Sequence, residues 1–432
     1  MSPADAAARP PGGAFHRFMQ TARRSGTLVL QPRMGFADPA RMRAGLLATR
    51  DARATTVGTL TLDSFTRVGD YAAAARATEQ GRHLNGYPLV SLPVATTAEL
   101  LDGVHGPDFP VQVRHGSARP GRIVDALVAA GLDATEGGPV SYCLPYGRTP
   151  LRTSVRAWRE ACHKLAALRA TGVEPHLESF GGCMLGQLCP PSLLIALSVL
   201  EGMFFRQHGI ASVSLSYAQQ TSPEQDEEAV HALHALAADH LADVSWHVVV
   251  YAYMGVFPET EAGALGLVAD AARLAVRTGA GRLIVKTAAE AVRIPSVAEN
   301  VTALETAAAA AARTTRRTAP PPATGVEAEA RALVDAVLGL DDDIGNALVL
   351  AFARGYLDVP YCLHPDNAGR TRSVISDRGR LEWDRTGALP LGRPAGAPRV
   401  RRLTSSGLLH ALAHVKNRYD SPAASLAGRA GG

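Results

Sequence analysis

"FPVQVRHGSARPGRIVDALVAAGLDATEGG", residues 109–138, contains one complete strand–helix–strand unit. An extended run, FPVQV (109–113), ends at Arg114, and an amphipathic segment (121–131) follows with apolar residues three and four apart. A second extended run, DATEGG (133–138), then delivers Glu136. Two strands joined through a helix run parallel, with charged residues placed at their C-terminal ends.

The unit recurs along the chain. Extended runs read at TLVLQ (27–31), TTVGTLTL (55–62), YPLVSL (87–92), EPHLESF (174–180), IASVSLSY (210–217), VSWHVVVY (244–251) and RLIVK (282–286). Amphipathic segments fall between many of them, at 39–52, 151–171, 191–208, 223–242, 260–278 and 297–312. The expected fold is therefore α/β: a (β/α)8 TIM barrel over 27–313 with a smaller C-terminal α+β cap. Nine strand candidates are one too many, and 87–92, between Gly86 and Pro93, is the weakest stave. Neither GxGxxG nor GxxxxGK[ST] occurs, so the phosphate cradles of open sheets are missing.

"TTRRTAPPPATG" (314–325) reads as a Pro-rich linker. Beyond it, residues 326–420 read as the cap, with helices near 326–338 and 342–356 and a hairpin through SVISDRGRLEW. Residues 1–26 are expected to be a disordered leader and 421–432 a disordered tail.

Bulk properties exclude several classes. Of 432 residues, 47% are hydrophobic and 19% charged, and the net charge of +4 is spread along the chain. No Lys/Arg block is interleaved with aromatics, so no nucleic-acid partner is expected. Five cysteines without a CxxC pair suit a reducing cytosol, and the expected localisation is cytoplasmic. The apolar run PPSLLIALSVLEGMFF (190–205) is interrupted by Glu201, so no membrane span is expected. The N-terminus has no apolar signal core.

The chemistry-bearing residues sit at strand ends. Arg33 follows TLVLQ, Arg67 follows LTLDSFT, and Arg114 ends FPVQV. Taken singly, each reads as an ion-pair residue; three around one barrel mouth fit a small dianion such as a dicarboxylic acid. Glu136 precedes two glycines, whose backbone freedom allows close approach to a ligand, and beside arginines it should stay ionised and able to accept a proton. Tyr142 and Tyr146 flank Pro145 and can donate to a carboxylate. Lys286 and Glu290 are one helical turn apart and read most simply as a salt bridge. No metal site is expected: Cys183 and Cys189 near His176 lack a second pair, and His231, His234 and His240 lie on a helix without a completing carboxylate. A GxSxG elbow is absent.

The fragments QPRMG, TLDSFTR, LNGYP, QVRHG, EGGPVSYCLPY, LCPPS, YMGVFPE, IVKTAAEA and VPYCLHPDNAG occur in this order between about 27 and 390. In that order they resemble the epsilon (large) subunit of glutamate mutase, also called methylaspartate mutase. The resemblance implies an isomerase (an intramolecular transferase) that interconverts (S)-glutamate and (2S,3S)-3-methylaspartate by a radical mechanism dependent on adenosylcobalamin. It implies substrate-holding roles for Arg33, Arg67 and Arg114, an ammonium-accepting base at Glu136, and substrate contacts from Tyr142 and Tyr146. Coenzyme-facing roles fall on Gly35, Thr61, Asn85, Pro145, Met254, Lys286 and Glu290, which turns the helical salt bridge into a coenzyme contact. The cobalamin signature D-x-H-x-x-G is absent from the chain, so the coenzyme is expected to be shared with a separate small (sigma) subunit, as a homodimer within a heterotetramer. Arg282 stands where the family typically carries lysine, and residues 179–188 are altered, which leaves glutamate or a substituted analogue open as substrate. Three other readings remain at this point: a cobalamin-independent lyase or aldolase acting on a small dicarboxylic acid, a non-catalytic binding subunit that keeps the fold, and, least supported by the sequence, a structural or interaction protein.

Overall fold

In the computed structural model, the described residues are 13–82, 84–145, 147–181, 188–291, 293–317, 321–392 and 404–421. Eight of the nine extended runs become barrel staves. They are β1 (Val29–Pro32), β2 (Gly58–Thr61), β3 (Val111–Arg114), β4 (Ala134–Glu136), β5 (His176–Glu178), β6 (Ser212–Ala218), β7 (Ser245–Tyr251) and β8 (Arg282–Val285). All pair in parallel in the order β1-β8-β7-β6-β5-β4-β3-β2. The remaining seam closes through Leu30, whose N–H donates to Thr55 O at 2.8 Å and whose carbonyl accepts from Val57 N at 3.2 Å. The fold is a (β/α)8 barrel.

Local chemistry explains where the helices start. Asp38 accepts from Arg41 N and Pro39 occupies the first turn of the helix Pro39–Arg50. Ser222 does the same for Pro223–His240, and Ser296 with Glu299 forms a capping box for Val297–Ala312. The helix Pro191–Gln207 is buried along nearly its whole length, Glu201 included.

The run at 87–92 is not a stave. Tyr87 makes a single parallel bridge to Leu62, and its hydroxyl pairs with Thr97 Oγ1 at 2.8 Å. Pro88 and Pro93 remove two ladder donors, and a helix starts at Val94.

The expectation of a disordered leader through residue 26 is also corrected. Ala14–Ser25 is a helix whose Phe15, Met19 and Ala22 pack on Val29, Val57 and Ala134 at the strand-start end of the barrel. Phe15 stacks on His176 with ring centroids 4.8 Å apart, and the Arg282 guanidinium lies 5.0 Å from its ring centre. Apolar residues at 15, 19 and 22 have helical spacing, a signal diluted by the Pro, Gly and Ala around it. Residues 1–12, 318–320 of the linker and 422–432 of the tail lie outside the described residues.

The barrel interior is filled with polar groups rather than branched apolar ones. Gln31 Nε2 donates to Thr59 Oγ1 at 2.9 Å and to Gln112 Oε1 at 2.8 Å. Arg282, at 0% exposure, binds Gln31, Glu178, Gln112 and Ser214.

The cap has the expected helices, at Val326–Leu338 and Ile344–Arg354, and a hairpin of β9 (Arg372–Ile375) and β10 (Leu381–Arg385). It is tied to the barrel: Glu329 accepts from Ser192 Oγ at 2.7 Å and from Trp383 Nε1 at 3.2 Å. A last helix, His414–Asp420, returns to the barrel wall, where Asp420 accepts from the N–H groups of Glu259 and Thr260 at 3.0 Å. Among the described residues no helix is long and apolar enough to cross a membrane.

Because Phe15 is fully buried against the barrel floor, Phe15→Ala should lower unfolding free energy by about 3–4 kcal/mol. The exposed Arg24→Ala on the same helix should change it by less than about 0.5 kcal/mol. Urea unfolding of both variants checks this; equal midpoints would mean that the helix does not close the barrel.

Candidate active site

Side chains from the strand ends converge on one rim. Thr61 of β2 pairs with Arg114 of β3, and Leu62 N donates to Arg114 O at 2.8 Å. Arg67 rides on the short helix Ser64–Val68, whose first turn is fixed by Asp63 (accepting from Thr66 N, 2.9 Å) and by Asn85 Oδ1 (accepting from Ser64 N, 2.9 Å). Its side chain crosses Gly116, where an added Cβ would lie 2.9 Å from Arg67 Nε. With φ at +71°, Gly116 suits glycine in both backbone and space. Arg33, just past β1, pairs with Glu290, beyond β8, at 2.7 Å.

Glu136 is the centre of the arrangement. At 1% exposure, its carboxylate pairs with Arg114 Nε at 2.9 Å, accepts from the Tyr142 hydroxyl, and lies 3.0 Å from the Tyr251 hydroxyl. Tyr251 also donates to Glu178, itself held by Arg282. Two carboxylates and two guanidiniums are thus linked through one tyrosine.

Electrostatics follow from this burial. Desolvation raises the Glu136 pKa; Arg114 opposes the rise and the charge of Glu178 adds to it. The expectation that flanking arginines simply keep it ionised is therefore incomplete: burial outweighs the guanidinium. A carboxylate moved upward is a better proton acceptor at neutral pH. Burial alone would lower Arg114, but Glu136, Tyr251, Tyr142 and Glu178 together raise it, so it stays charged. His115 is lowered to about 3 by burial and by the charge of Arg67. Its Nδ1 accepts from Ser117 N at 3.0 Å, which makes it a neutral ring standing edge-on to Tyr142.

The two glycines after Glu136 serve the protein's own side chains rather than leaving space for a ligand. Gly137 has φ +128°, and an added Cβ would fall 2.3 Å from Tyr142 Cδ2 and 2.6 Å from the Trp158 ring. At Gly138 it would fall 2.1 Å from Glu201 Oε1. That oxygen accepts from the N–H groups of Val140 and Ser141, both at 2.9 Å. Glu201, which interrupts the long apolar run, therefore fixes the loop that presents Tyr142. Burial raises its pKa to about 7 against the pull of those N–H groups.

The other positions implied by the resemblance occupy the same end of the barrel. Gly35 packs on Thr61, whose carbonyl would be 2.2 Å from an added Cβ. Lys286 Nζ lies 4.3 Å from the Phe257 ring centre, and Met254 is buried nearby in the chain after β7. Pro145 is partly buried. Tyr146 and residues 182–187 of the altered segment lie outside the described residues.

Sequence reasoning missed Tyr251, Glu178, Glu201 and His115. Tyr251 ends the run VSWHVVVY, and Glu178 stands two places before the end of EPHLESF as Glu136 does in DATEGG, so the rule that found Arg114 and Glu136 would also have found them.

The family profile described as "Methylaspartate mutase E chain (MutE)" matches residues 9–407. This chain belongs to that family. Its relatives include the glutamate mutase epsilon subunit of Halobacterium salinarum, 31% identical over 77% of this chain and 71% of that one. The glutamate mutase epsilon subunit of Escherichia coli O157:H7 is 30% identical over 77% and 72%, and that of Yersinia enterocolitica 29% over 88% and 82%. The methylaspartate mutase E chain match covers the barrel and most of the cap.

Glu201 gives a stability test in this member of the methylaspartate mutase E chain family. A carboxyl raised from 4.5 to about 7 holds more protons folded than unfolded, so its contribution is fully present below 4.5 and is lost as pH rises toward 7. Relative to Glu201→Gln, the wild type should lose roughly 3 kcal/mol of stability across that window. Glu201→Ala, which strands two buried N–H groups, should be less stable than Glu201→Gln by about 2–4 kcal/mol. Urea melts at a series of pH values decide; parallel curves for wild type and Glu201→Gln would refute the assignment.

Proposed function

We propose that this chain is the large catalytic subunit of an adenosylcobalamin-dependent carbon-skeleton mutase that interconverts (S)-glutamate and (2S,3S)-3-methylaspartate. The observation that carries the reading is the buried Glu136, held by Arg114, Tyr142 and Tyr251 at the same rim as Arg33 and Arg67. Family membership supports it, with relatives named as glutamate mutase epsilon subunits.

The substrate has two carboxylates and one ammonium. Arg33, Arg67 and Arg114 supply the planar forks for the carboxylates, each charge-assisted contact contributing about 1.5–3 kcal/mol. Glu136, moved upward by burial, takes up the proton of the ammonium group, and the Tyr142 hydroxyl orients its carboxylate. Arg33 is paired with Glu290, so substrate binding exchanges that carboxylate for one of its own. Clamping both ends keeps a fragmented intermediate from escaping before it recombines.

The residues at the rim fit the coenzyme. Thr61 Oγ1 is buried with no hydrogen-bond partner among the described residues, and Lys286 and Glu290 place an ammonium and a carboxylate just past the end of β8, on the far side of β1 from β2. Gly35, Thr61, Asn85, Pro145, Met254, Lys286 and Glu290 would hold the coenzyme's adenosyl side. When bound, adenosylcobalamin supplies the radical that starts the rearrangement. The chain lacks D-x-H-x-x-G, so the corrin is carried by a small sigma subunit, giving a heterotetramer around a homodimer.

Reconstitution with a small D-x-H-x-x-G protein and adenosylcobalamin should give a glutamate-dependent electron paramagnetic resonance signal and 3-methylaspartate. Glu136→Gln and Arg67→Lys should each lower turnover by at least about a hundredfold, since both remove a group aimed at the substrate. Turnover of a dicarboxylic acid without the coenzyme would favour the lyase reading instead, and unchanged rates in both variants would remove the catalytic assignment.

A further inference from the structure

A line of hydrogen bonds runs from Glu136 down the inside of the barrel to its opposite end. Tyr251 links Glu136 to Glu178. Ser214 Oγ donates to Glu178 Oε2 at 3.3 Å, and lies 3.0 Å from His176 Nε2. His176 Nδ1 is 2.9 Å from Ser212 Oγ, which is 2.8 Å from His16 Nδ1 on the floor helix. Ser212, His176, Ser214, Glu178 and Tyr251 are all buried, whereas His16 is half-exposed and contacts the exposed Gln20 at 2.9 Å.

The donors in this line have one consistent direction. Ser214 gives its hydrogen to Glu178, so it accepts from His176 Nε2–H; the Arg282 Nη2, 3.2 Å away, occupies its other lone pair. His176 is held neutral, its pKa lowered by burial and by the neighbouring His247, Arg282 and His16. Its Nδ1 therefore accepts from Ser212, and Ser212 accepts from His16 Nδ1–H. Gln20 Nε2 then donates to the free Nε2 of His16, which fixes the same tautomer. Five successive contacts agree without an exception.

We propose that His16, Ser212, His176, Ser214, Glu178 and Tyr251 form a proton relay connecting the buried base Glu136 with solvent at the base of the barrel. Each member takes one proton and passes one on: a proton arriving at His16 Nε2 releases Nδ1–H to Ser212. Ser212 releases its hydrogen to His176 Nδ1, and Nε2–H passes to Ser214 and on to Glu178. Glu178 exchanges with Glu136 through the Tyr251 hydroxyl. One proton moves, no bond to carbon changes, and rotation of the hydroxyls with imidazole tautomer reversal resets the line for the outward direction. The need for it rests on the proposed function: with the mouth covered by a second subunit, a base at 1% exposure has no route to water on that side.

The test uses the reconstituted holoenzyme without substrate, transferred rapidly from H2O into D2O. Infrared bands of the Glu136/Glu178 carboxyls and the Tyr251 hydroxyl report exchange. Ser212→Ala breaks the line at the far end from Glu136, and Ser214→Ala breaks it next to Glu178. Both should slow exchange at least tenfold, while Ser212→Thr, which keeps the hydroxyl, restores it. Wild-type exchange rates in Ser212→Ala and Ser214→Ala would overturn the relay. Turnover is read separately. Ser212-dependent exchange in a holoenzyme inert toward glutamate would sink the mutase reading and leave the relay standing. Full turnover with Ser212-independent exchange would do the reverse.

Discussion

Two carboxylates at the heart of the barrel, Glu136 and Glu178, share one tyrosine hydroxyl, and each has its own guanidinium. The rest of the structure depends on that balance. Taking such groups out of water costs several kcal/mol per ion, and removing one partner of a buried pair typically destabilises by about 3–5 kcal/mol. Arg282 and Glu178 are fully buried, so neither is tolerable alone. Gln31, Gln112 and Ser214 complete the donor set around them, which is why the barrel core is polar where most barrels are packed with Val, Ile and Leu.

This constraint divides the molecule into two ends with different duties. At the strand starts, the helix Ala14–Ser25 places Phe15 against Arg282 and His176, shielding the floor from bulk water. A dry floor strengthens every interaction above it, including the upward displacement of Glu136. At the strand ends the backbone yields to side chains: Gly116 makes way for Arg67, Gly137 for Tyr142, and Gly138 for Glu201. Arg67 and Tyr142 are therefore held by packing against glycine rather than by extended loops of their own. Packing of this kind holds the direction of a side chain within a narrow tolerance.

The fold was legible because parallel staves announce themselves: eight extended runs, each ending near a charged or polar residue, separated by helices. The false ninth, 87–92, failed through Pro88 and Pro93, whose missing donors outweigh the apolar pattern. The floor helix was hidden by its setting, since Phe15, Met19 and Ala22 follow a Pro- and Gly-rich start. At the site, Arg33, Arg67, Arg114 and Glu136 could be read from their strand-end positions. Glu201 could not. It lies in the middle of a helix, and only the fold shows that its carboxylate faces Gly138 in a loop some sixty positions earlier. The pairing of Glu290 with Arg33 was equally out of reach, because it joins the first and last staves, which are neighbours only in the folded barrel.

Arg282 stands where the resemblance leads one to expect lysine, and its place in the fold says what such a difference touches. The position is at the start of β8, on the barrel floor, whereas Arg33, Arg67 and Arg114 occupy the opposite end of the staves. A lysine ammonium is one point with three donors; the planar guanidinium reaches Gln31, Gln112, Glu178 and Ser214 from two nitrogens. The exchange therefore reshapes the floor network and the orientation of Ser214, and through Glu178 and Tyr251 it acts on the basicity of Glu136. It adds no group to the rim and removes none. Its physical effect is on the charge balance around Glu136, while Arg33, Arg67 and Arg114 lie at the other end of the staves.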